Sequence, residues 1–578
     1  MSDSAPGRIL RADLSAERVV SEPVPERWRR DYLGGKGLGA RYLYEELAPG
    51  TDPLGPGNAL LFVLGPLTGA LPGEQRYAAV TKSPLTGAFL DSYAGGTFPA
   101  RLAGSLADHL GVLVTGRAEA PVRLVVGDGD ARLEPAETWG DDAVETARHF
   151  PDASVACIGP AGENRVAYAT IASDEAEHHA GRGGAGAVMG SKRLKAVVAH
   201  GDPPAVPEAV AALRDRETER FAASDTGRWL AASGTLETVD FADEAGVLAA
   251  RGWQERGFDG AGDVGIEAAE AAASGREHDG PIPGDFRVDT AAGETVPRGA
   301  TGMSLGAGLG IDEFDAVAEL GEWCNRFGLD LIDGGNGVAW AVRAAEAGLV
   351  DRELSFGDPD GARRLLREIA TRESALGDAL ADGVEAAAAT FGGEGLVPSV
   401  KEMSLPAYDP RGAASMALAY ATSDRGGCHR RARPVEREPF DGPWAPDRAA
   451  EAVVAAQDAR ALRWSLVADD FAGESLAVGA WLDALGVPHD DVGTVGERVW
   501  TLVRLFNVRE GFDRSDDSLP TAFAGSDGVD RDRFEAMLDA YYAARGWDET
   551  GLPTRETLAR LDLEGVVDAP TSVAEREP

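Results

Sequence analysis

The chain has 578 residues, 44% of them hydrophobic, and carries 56 Lys and Arg against 96 Asp and Glu, a formal net charge of −40. A chain of this length outgrows a single hydrophobic core, so two or three domains are expected. The charge argues against nucleic acid as a partner, because phosphate backbones are held by clustered Lys and Arg, and no apolar run is long enough for a membrane-spanning helix.

Residues 8–25 alternate apolar and polar positions around Ser15-Ala16-Glu17, the pattern of a β-hairpin. A helical stretch follows, and Gly34-Gly35-Lys36-Gly37-Leu38-Gly39 opens another helix. Short apolar runs bounded by Gly and Pro (ALLFVLG, YAAVT, GVLVTG, VRLVVG) then predict strands between 58 and 130. Further strands are expected at SVACIGP and VAYATIA, with AVVAHG closing the region near 200. Beyond 205 the pattern turns to alanine-rich helical spacing over 208–274, 312–392 and 446–483, with no strong β pattern returning. The expected fold is therefore α+β: an N-terminal two-sheet β-rich domain (1–205) followed by two mainly α-helical domains (206–400 and 401–578). The boundary near 400 falls in the polar, Pro-bearing VPSVKEMSLPAYDPRG. The last ten residues read as frayed or disordered.

Only five of the cations are lysines (Lys36, Lys82, Lys192, Lys195, Lys401). Self-repulsion at −40 is tolerable where salt screens charges within ~3 Å, as at about 1 M, so a salt-accumulating cytoplasm is the expected setting. The N-terminus has no basic start followed by an apolar segment, which agrees with a cytoplasmic protein. Cys157, Cys324 and Cys428 are too far apart for a disulfide framework or a C-x-x-C metal motif, and Cys157 and Cys324 read as buried, inert thiols.

Four loops combine glycine with a hydroxyl or amide side chain and an arginine, or offer a glycine run beside them: Gly73-Glu74-Gln75-Arg76, Asp91-Ser92-Tyr93-Ala94-Gly95-Gly96-Thr97, Ala180-Gly181-Arg182-Gly183-Gly184-Ala185-Gly186, and Thr422-Ser423-Asp424-Arg425-Gly426-Gly427-Cys428-His429. Glycine lets backbone N–H groups approach an anion, and Arg offers a two-pronged fork for phosphate. Singly each is an ordinary turn. Together they point to a large phosphate-bearing cofactor gripped between domains.

Several blocks carry a specific resemblance: GGKGLGARYL, GPLTGALPGEQRYAAVTKSPLTG, DSYAGGTFPARLAGSLADHLGVLVTGRAEAPVRL, the run 158–201 (IGPAGENRVAYATIASDEAEHHAGRGGAGAVMGSKRLKAVVAHG), WCNRFGLDLID, LPAYDPRGAASMALAYATSDRGGCHRR and ERVWTLVRLFNVREGFDRSDDSLP. In this order the chain resembles the aldehyde ferredoxin oxidoreductase family from about residue 8 to 520. The resemblance implies a tungsten- or molybdenum-bis-pterin centre at the domain junction, Mg2+ bridging the pterin phosphates through backbone carbonyls near Tyr93 and Gly183, and a neighbouring [4Fe-4S] cluster. Carried over block by block, Arg76, Gly95, Gly96, Arg182 and Gly183 would grip the first pterin. Asn325 and Asp330, with Arg431 nearby, would hold the second, and His429 would be the acid–base residue. A structural role for that histidine is equally open.

The family's cluster cysteines are missing. The C-x-x-C-x-x-x-C positions read Glu277, Gly280 and Gly284, and the fourth ligand is Asp469. Glycine and carboxylate offer no thiolate, so the [4Fe-4S] cluster is expected to be absent. The pterin-binding aspartate of the second motif is Trp464, and the G-P-E-Y-E-T block that carries a catalytic glutamate reads Val296-Pro297-Arg298-Gly299-Ala300-Thr301. No protein-held metal site is expected beyond the cofactor. Two functions follow: an oxidoreductase turning a small aldehyde into a carboxylic acid, with a ferredoxin-like or other protein taking the electrons, or a non-catalytic relative that binds pterin or a partner as scaffold or regulator. Family members are often dimers, which makes a homodimer an expectation.

Overall fold

The computed structural model describes residues 6–523 and 528–574. Twelve strands of the N-terminal part build two six-stranded sheets. The first takes β1 (Arg8–Asp13), β2 (Arg18–Pro23), β3 (Leu60–Val63), β4 (Tyr77–Lys82), β5 (Phe89–Ala94) and β6 (His109–Thr115) in the order β2-β1-β6-β3-β4-β5. The second takes β7 (Val122–Gly127), β8 (Asp130–Pro135), β9 (Ser154–Cys157), β10 (Ile171–Ser173), β11 (His178–Ala180) and β12 (Leu194–Ala199) in the order β11-β10-β9-β12-β7-β8. Each sheet has one parallel pair, β1 with β6 and β7 with β12.

Strand alternation explains how the sheets are covered. Leu10, Leu60, Phe62, Tyr77, Ala79 and Leu90 face a core shared with Leu124, Val126, Ile158, Leu194 and Val197 of the second sheet. Their neighbours Ile9, Leu61, Val63, Ala78 and Val80 face the other way, into the core of the helical region. A sheet buried on both faces cannot afford the polar alternation of a solvated one, which is why β3 reads as an unbroken LLFV. The remainder is mainly helical, built on elements such as Phe314–Phe327, Leu331–Glu346, Pro446–Ser465 and Val492–Arg509.

Two readings of the sequence are corrected. A three-stranded sheet (Ala273–Arg276, Phe286–Thr290, Gly293–Thr295) interrupts the helical region; its strands are too short and too polar for alternation to reveal them. The expected fraying of the last ten residues does not hold over 569–574. Thr571 Oγ1 lies 2.6 Å from Tyr44 Oη and Ala574 bridges to Thr554, a long-range docking that polar composition does not announce. The final four residues lie outside the described residues. Among the described residues no helix is long and apolar enough to cross a membrane.

Candidate functional site

The two sheets meet at their edges, where β5 and β11 face each other and Ser92 Oγ donates to the carbonyl of Gly181 at 2.8 Å. This places Arg76 (before β4), Gly95 and Gly96 (after β5), His178 (on β11) and Arg182 and Gly183 (after β11) at one rim. The loop 422–431, which follows helix Ser415–Ala421, closes over it: Arg425 Nη1 donates to the Asp91 carbonyl at 2.7 Å, and Arg182 Nη2 to the carbonyls of Ser404 (2.5 Å) and Gly427 (3.1 Å).

Gly95 and Gly96 form a backbone nest, with Gly96 at φ +80°. The nest holds a carboxylate of the chain itself. Gly96 N–H donates to Glu74 Oε1 at 3.1 Å, and a Cβ at Gly95 would stand 2.0 Å from the Glu74 carboxyl carbon. Arg76 Nη2 pairs with Glu74 Oε2 at 2.9 Å and Nη1 with Asp470 Oδ2 at 3.2 Å. Next along the chain, Thr97 and Phe98 N–H groups donate to Asp174 Oδ2 at 2.6 and 3.3 Å.

Arg182 sits at φ +66°, its N–H donating to Asp330 Oδ2 at 2.9 Å and its Nε lying 3.1 Å from Asp333 Oδ2. Asp330 in turn caps helix Leu331–Glu346 through Oδ1. Gly183, at φ +73°, packs where a Cβ would meet Leu90 at 2.7 Å. Its carbonyl, one of the two expected on Mg2+, accepts from Ser83 Oγ at 2.7 Å. Asn325 does not join Asp330: its Nδ2 reaches Thr295 Oγ1 at 3.4 Å and supports Glu322, whose carboxyl burial pushes up to about 7 against the hydrogen bonds from Thr295 and Asn325.

Arg431 is 1% exposed and completes a closed ring of charge. It pairs with Asp91 and, at 2.7 Å, with Asp424, while Lys36 Nζ pairs with the same two carboxylates at 3.1 and 2.5 Å. Tyr93 Oη donates to Asp91 at 2.6 Å and stacks on Trp464 at 5.1 Å, under an Arg431 guanidinium 4.5 Å from the indole. Burial would raise the Asp424 carboxyl, but Arg431 and Lys36 hold it well below the usual range.

His429 lies beside Tyr408, ring centroids 5.5 Å apart. Burial, then the charges of Arg433, Arg430, Arg182 and Arg425, hold its pKa well below the ordinary 6.5, so the ring is neutral at pH 7. Burial raises the Cys428 thiol, and Arg425, Arg431 and Arg182 bring it down to about 7; Arg425 Nη2 donates to its Sγ at 3.2 Å. By contrast, burial pushes Cys157 up to about 12 and Cys324 upward too, as inert buried thiols should be.

Of the four positions that the resemblance aligns with cluster cysteines, Glu277, Gly284 and Asp469 are linked through contacts, whereas Gly280 is exposed and a Cβ there would meet nothing within 4 Å. Glu277 pairs with Arg298 at 2.6 Å and approaches His178 Nε2 at 3.5 Å, and His178 Nδ1 reaches Glu74 at 3.1 Å. Glu74 N–H donates to Asp469 Oδ2 at 3.0 Å, and a Cβ at Gly284 would strike Glu277 at 2.4 Å. A chain of direct contacts thus runs Glu277–His178–Glu74–Asp469. Glu177, His178 and Glu277 offer ligand atoms within 4.8 Å of one another, but Arg287 and Arg298 already engage the two carboxylates. These residues do not fit a [4Fe-4S] cluster, since none supplies a thiolate.

A phosphate-bearing guest fits the remaining donors better. Arg76 Nε and Arg425 Nε are buried donors without a partner, and His429 Nδ1 is a buried ring nitrogen without one, each at a cost of about 1–3 kcal/mol unless a guest satisfies it. Of the residues expected from the sequence, Arg76, Gly95, Gly96, Arg182 and Gly183 lie at this rim; Glu74, Asp470 and Arg425, which join them there, stand in or next to the same motifs.

The comparisons with known proteins accord with this geometry. Residues 9–201 match the family model of the aldehyde ferredoxin oxidoreductase N-terminal domain, and residues 212–563 that of domains 2 and 3. The chain belongs to the aldehyde ferredoxin oxidoreductase family. Among its relatives are tungsten-containing aldehyde ferredoxin oxidoreductases of Pyrococcus horikoshii (33% identical, covering 96% of this chain and 99% of the relative) and Pyrococcus furiosus (34%, 96% and 98%). An aliphatic sulfonate oxidoreductase, WOR-like subunit, of P. furiosus is 26% identical over 96% of the chain and 97% of the relative. The active site complex BamBC of benzoyl coenzyme A reductase, with 1,5-dienoyl-CoA, shares the fold at a TM-score of 0.83, 23% identity and 98% coverage of both chains. The chain is thus a member of a family of tungsten oxidoreductases.

Proposed function

We propose that this family member is a tungsten- or molybdenum-pterin oxidoreductase that oxidises a small aldehyde to a carboxylic acid without a [4Fe-4S] cluster of its own. The observation that carries this is that Arg76 Nε, Arg425 Nε and His429 Nδ1 are buried without partners, while the edge strands of the two sheets and their loops bring Arg76, Gly95, Gly96, Arg182 and Gly183 to one rim. Those five residues would hold the phosphate end of the pterin, with Asp330 fixing the Arg182 loop through its N–H. When bound, the metal–pterin group supplies the two-electron chemistry. The protein's part is positional and acid–base. His429, neutral at pH 7, presents Nδ1 as an acceptor for the hydroxyl proton of an aldehyde hydrate. With no thiolate relay at 277, 280, 284 and 469, electrons would pass directly to a ferredoxin-like or other acceptor protein. If Mg2+ accompanies the cofactor, the Gly183 carbonyl could still ligate it, because the hydrogen bond from Ser83 Oγ uses only one of its two lone pairs.

A second reading, a non-catalytic scaffold or regulator, draws support from the ring in which Arg431 is fully paired and Trp464 stacks on Tyr93. Elemental analysis of protein purified in high salt, with fluorescent detection of released pterin, separates the readings. Tungsten or molybdenum with pterin and less than one iron per chain is the expected result. Neither metal nor pterin would favour the second reading, and four irons per chain would overturn the proposed loss of the cluster.

A further inference from the structure

Glu74 has a role that neither the family resemblance nor the oxidoreductase reading assigns. Its carboxylate accepts from the Gly96 N–H, pairs with Arg76, meets His178 Nδ1 and lies against Gly95, where no side chain larger than hydrogen fits. This is the coordination a phosphate oxygen finds in a glycine nest backed by an arginine: backbone N–H, guanidinium and imidazole converging on one anion. Glu74 nonetheless keeps 29% of its side-chain surface, so solvent reaches the carboxylate in the nest. The carboxyl is a lasting anion. Burial would raise its pKa, but Arg76, His178 and Arg298 hold it below the ordinary value. Arg76 Nε, meanwhile, has no partner at all, so Glu74 satisfies this guanidinium incompletely.

We propose that Glu74 is an internal competitor for a phosphate site made by Arg76, the Gly95-Gly96 nest and His178, so that a phosphate monoester binds only by displacing the Glu74 side chain. The site rests on the pterin reading for the identity of its natural guest and on nothing but this chain's residues for its existence. The displacement is short, because Glu74 is a flexible side chain on a turn that begins at Gly73 (φ +81°). A displaced carboxylate leaves Arg76 with Asp470 and the incoming phosphate, so no buried charge is stranded.

The test uses the full chain in constant KCl, titrated calorimetrically with inorganic phosphate and with neopterin monophosphate. Glu74→Ala should bind both at least tenfold more tightly than the unmodified protein, with Glu74→Gln in between, because glutamine keeps the hydrogen bond and drops the charge. Adding Arg76→Gln to Glu74→Ala should abolish the gain. A tenfold preference for neopterin monophosphate would identify the pterin ester as the guest, and equal gains would identify free phosphate; either supports the site. A cooperatively folded Glu74→Ala protein, stripped of any bound metal and pterin, with unchanged affinity would overturn the proposal, as would a gain that survives Arg76→Gln. If Glu74→Ala fails to fold, unchanged affinity in Glu74→Gln decides the matter in the same way. Metal- and pterin-free protein whose Glu74→Ala variant gains phosphate affinity would leave this inference standing while the oxidoreductase reading falls.

Discussion

Two clusters of charge in this protein use the same residue types and behave differently. Around Arg431, two cations and two carboxylates form a closed ring with side-chain exposures of 0–4%, roofed by Tyr93 and Trp464. Around Arg76, cations and carboxylates also alternate, yet Glu74 and Arg298 keep 29% and 34% of their side-chain surface and Arg76 Nε is unsatisfied. The ring is balanced and dry, and so structural: its members cannot leave without stranding a charge. The cleft is unbalanced and partly wet, which is what a site that exchanges one anion for another requires. A motif match to a cofactor-binding block therefore does not by itself say whether the block still holds a guest; the partners of its arginine do.

The largest expected effect lies in the ring. Asp424→Asn leaves Lys36 and Arg431 sharing one carboxylate in a dry interior, and breaking such a pair costs about 3–5 kcal/mol. Denaturant unfolding checks it, and a loss under about 1 kcal/mol would erase the distinction drawn between ring and cleft.

A smaller effect is expected in the cleft. Burial raises the Glu277 carboxyl, but Arg298 and then His178 bring it down to about 2. Since the unfolded carboxyl titrates near 4.3, the stabilisation is complete above that value and is lost as the pH falls toward about 2. Glu277→Gln should cost about 1–3 kcal/mol at pH 7, discounted for the exposure of Arg298. The cost should shrink between 0.1 and about 2 M KCl as screening shortens. The Asp424→Asn cost should not. Over the same range the unmodified chain, at −40, should gain thermal stability, as a salt-adapted protein would. Equal salt dependence of the two substitutions would contradict the wet-versus-dry assignment.

The smallest effect is a slope. The folded His429 ring has a pKa well below 6.5, so below pH 6.5 the unfolded chain binds a proton that the folded chain does not, and stability falls as the pH drops. The contribution approaches about 1.4 kcal/mol per pH unit below that point. His429→Gln should flatten the pH dependence of unfolding between pH 6.5 and 5.5 by up to that amount; an unchanged slope would mean that His429 takes up its proton in the folded state as well.

Much of this was legible in one dimension. Alternation and Gly/Pro punctuation located most strands of the two sheets, because a strand's two-residue period is a local property of the chain, but not β5, β8 or β11, and most of β5 lies in a segment that reads as a glycine-rich loop. The glycine–arginine loops marked the rim for a similar reason: Gly96 and Gly183 carry positive φ, and that requirement is written at a single position. The strands at 273–295 stayed hidden because three to five partly polar residues make no pattern, and the contacts of Asn325 with Thr295 and Glu322 come from the packing of helix Phe314–Phe327, which no local pattern announces.

What the sequence determined by itself is the family, the two-sheet and helical architecture, and the absence of thiolates at 277, 280, 284 and 469. Each depends on residue identity in order along the chain. What only the tertiary structure decided is who partners whom: that Glu74 enters the Gly95-Gly96 nest, that Asp470 reaches Arg76 from 394 residues away, and that Arg431 is enclosed by Asp91 and Asp424. Coulombic and hydrogen-bond partners are chosen by distance in space, and a carboxylate's sequence position carries no record of which cation folding will bring within 3 Å of it.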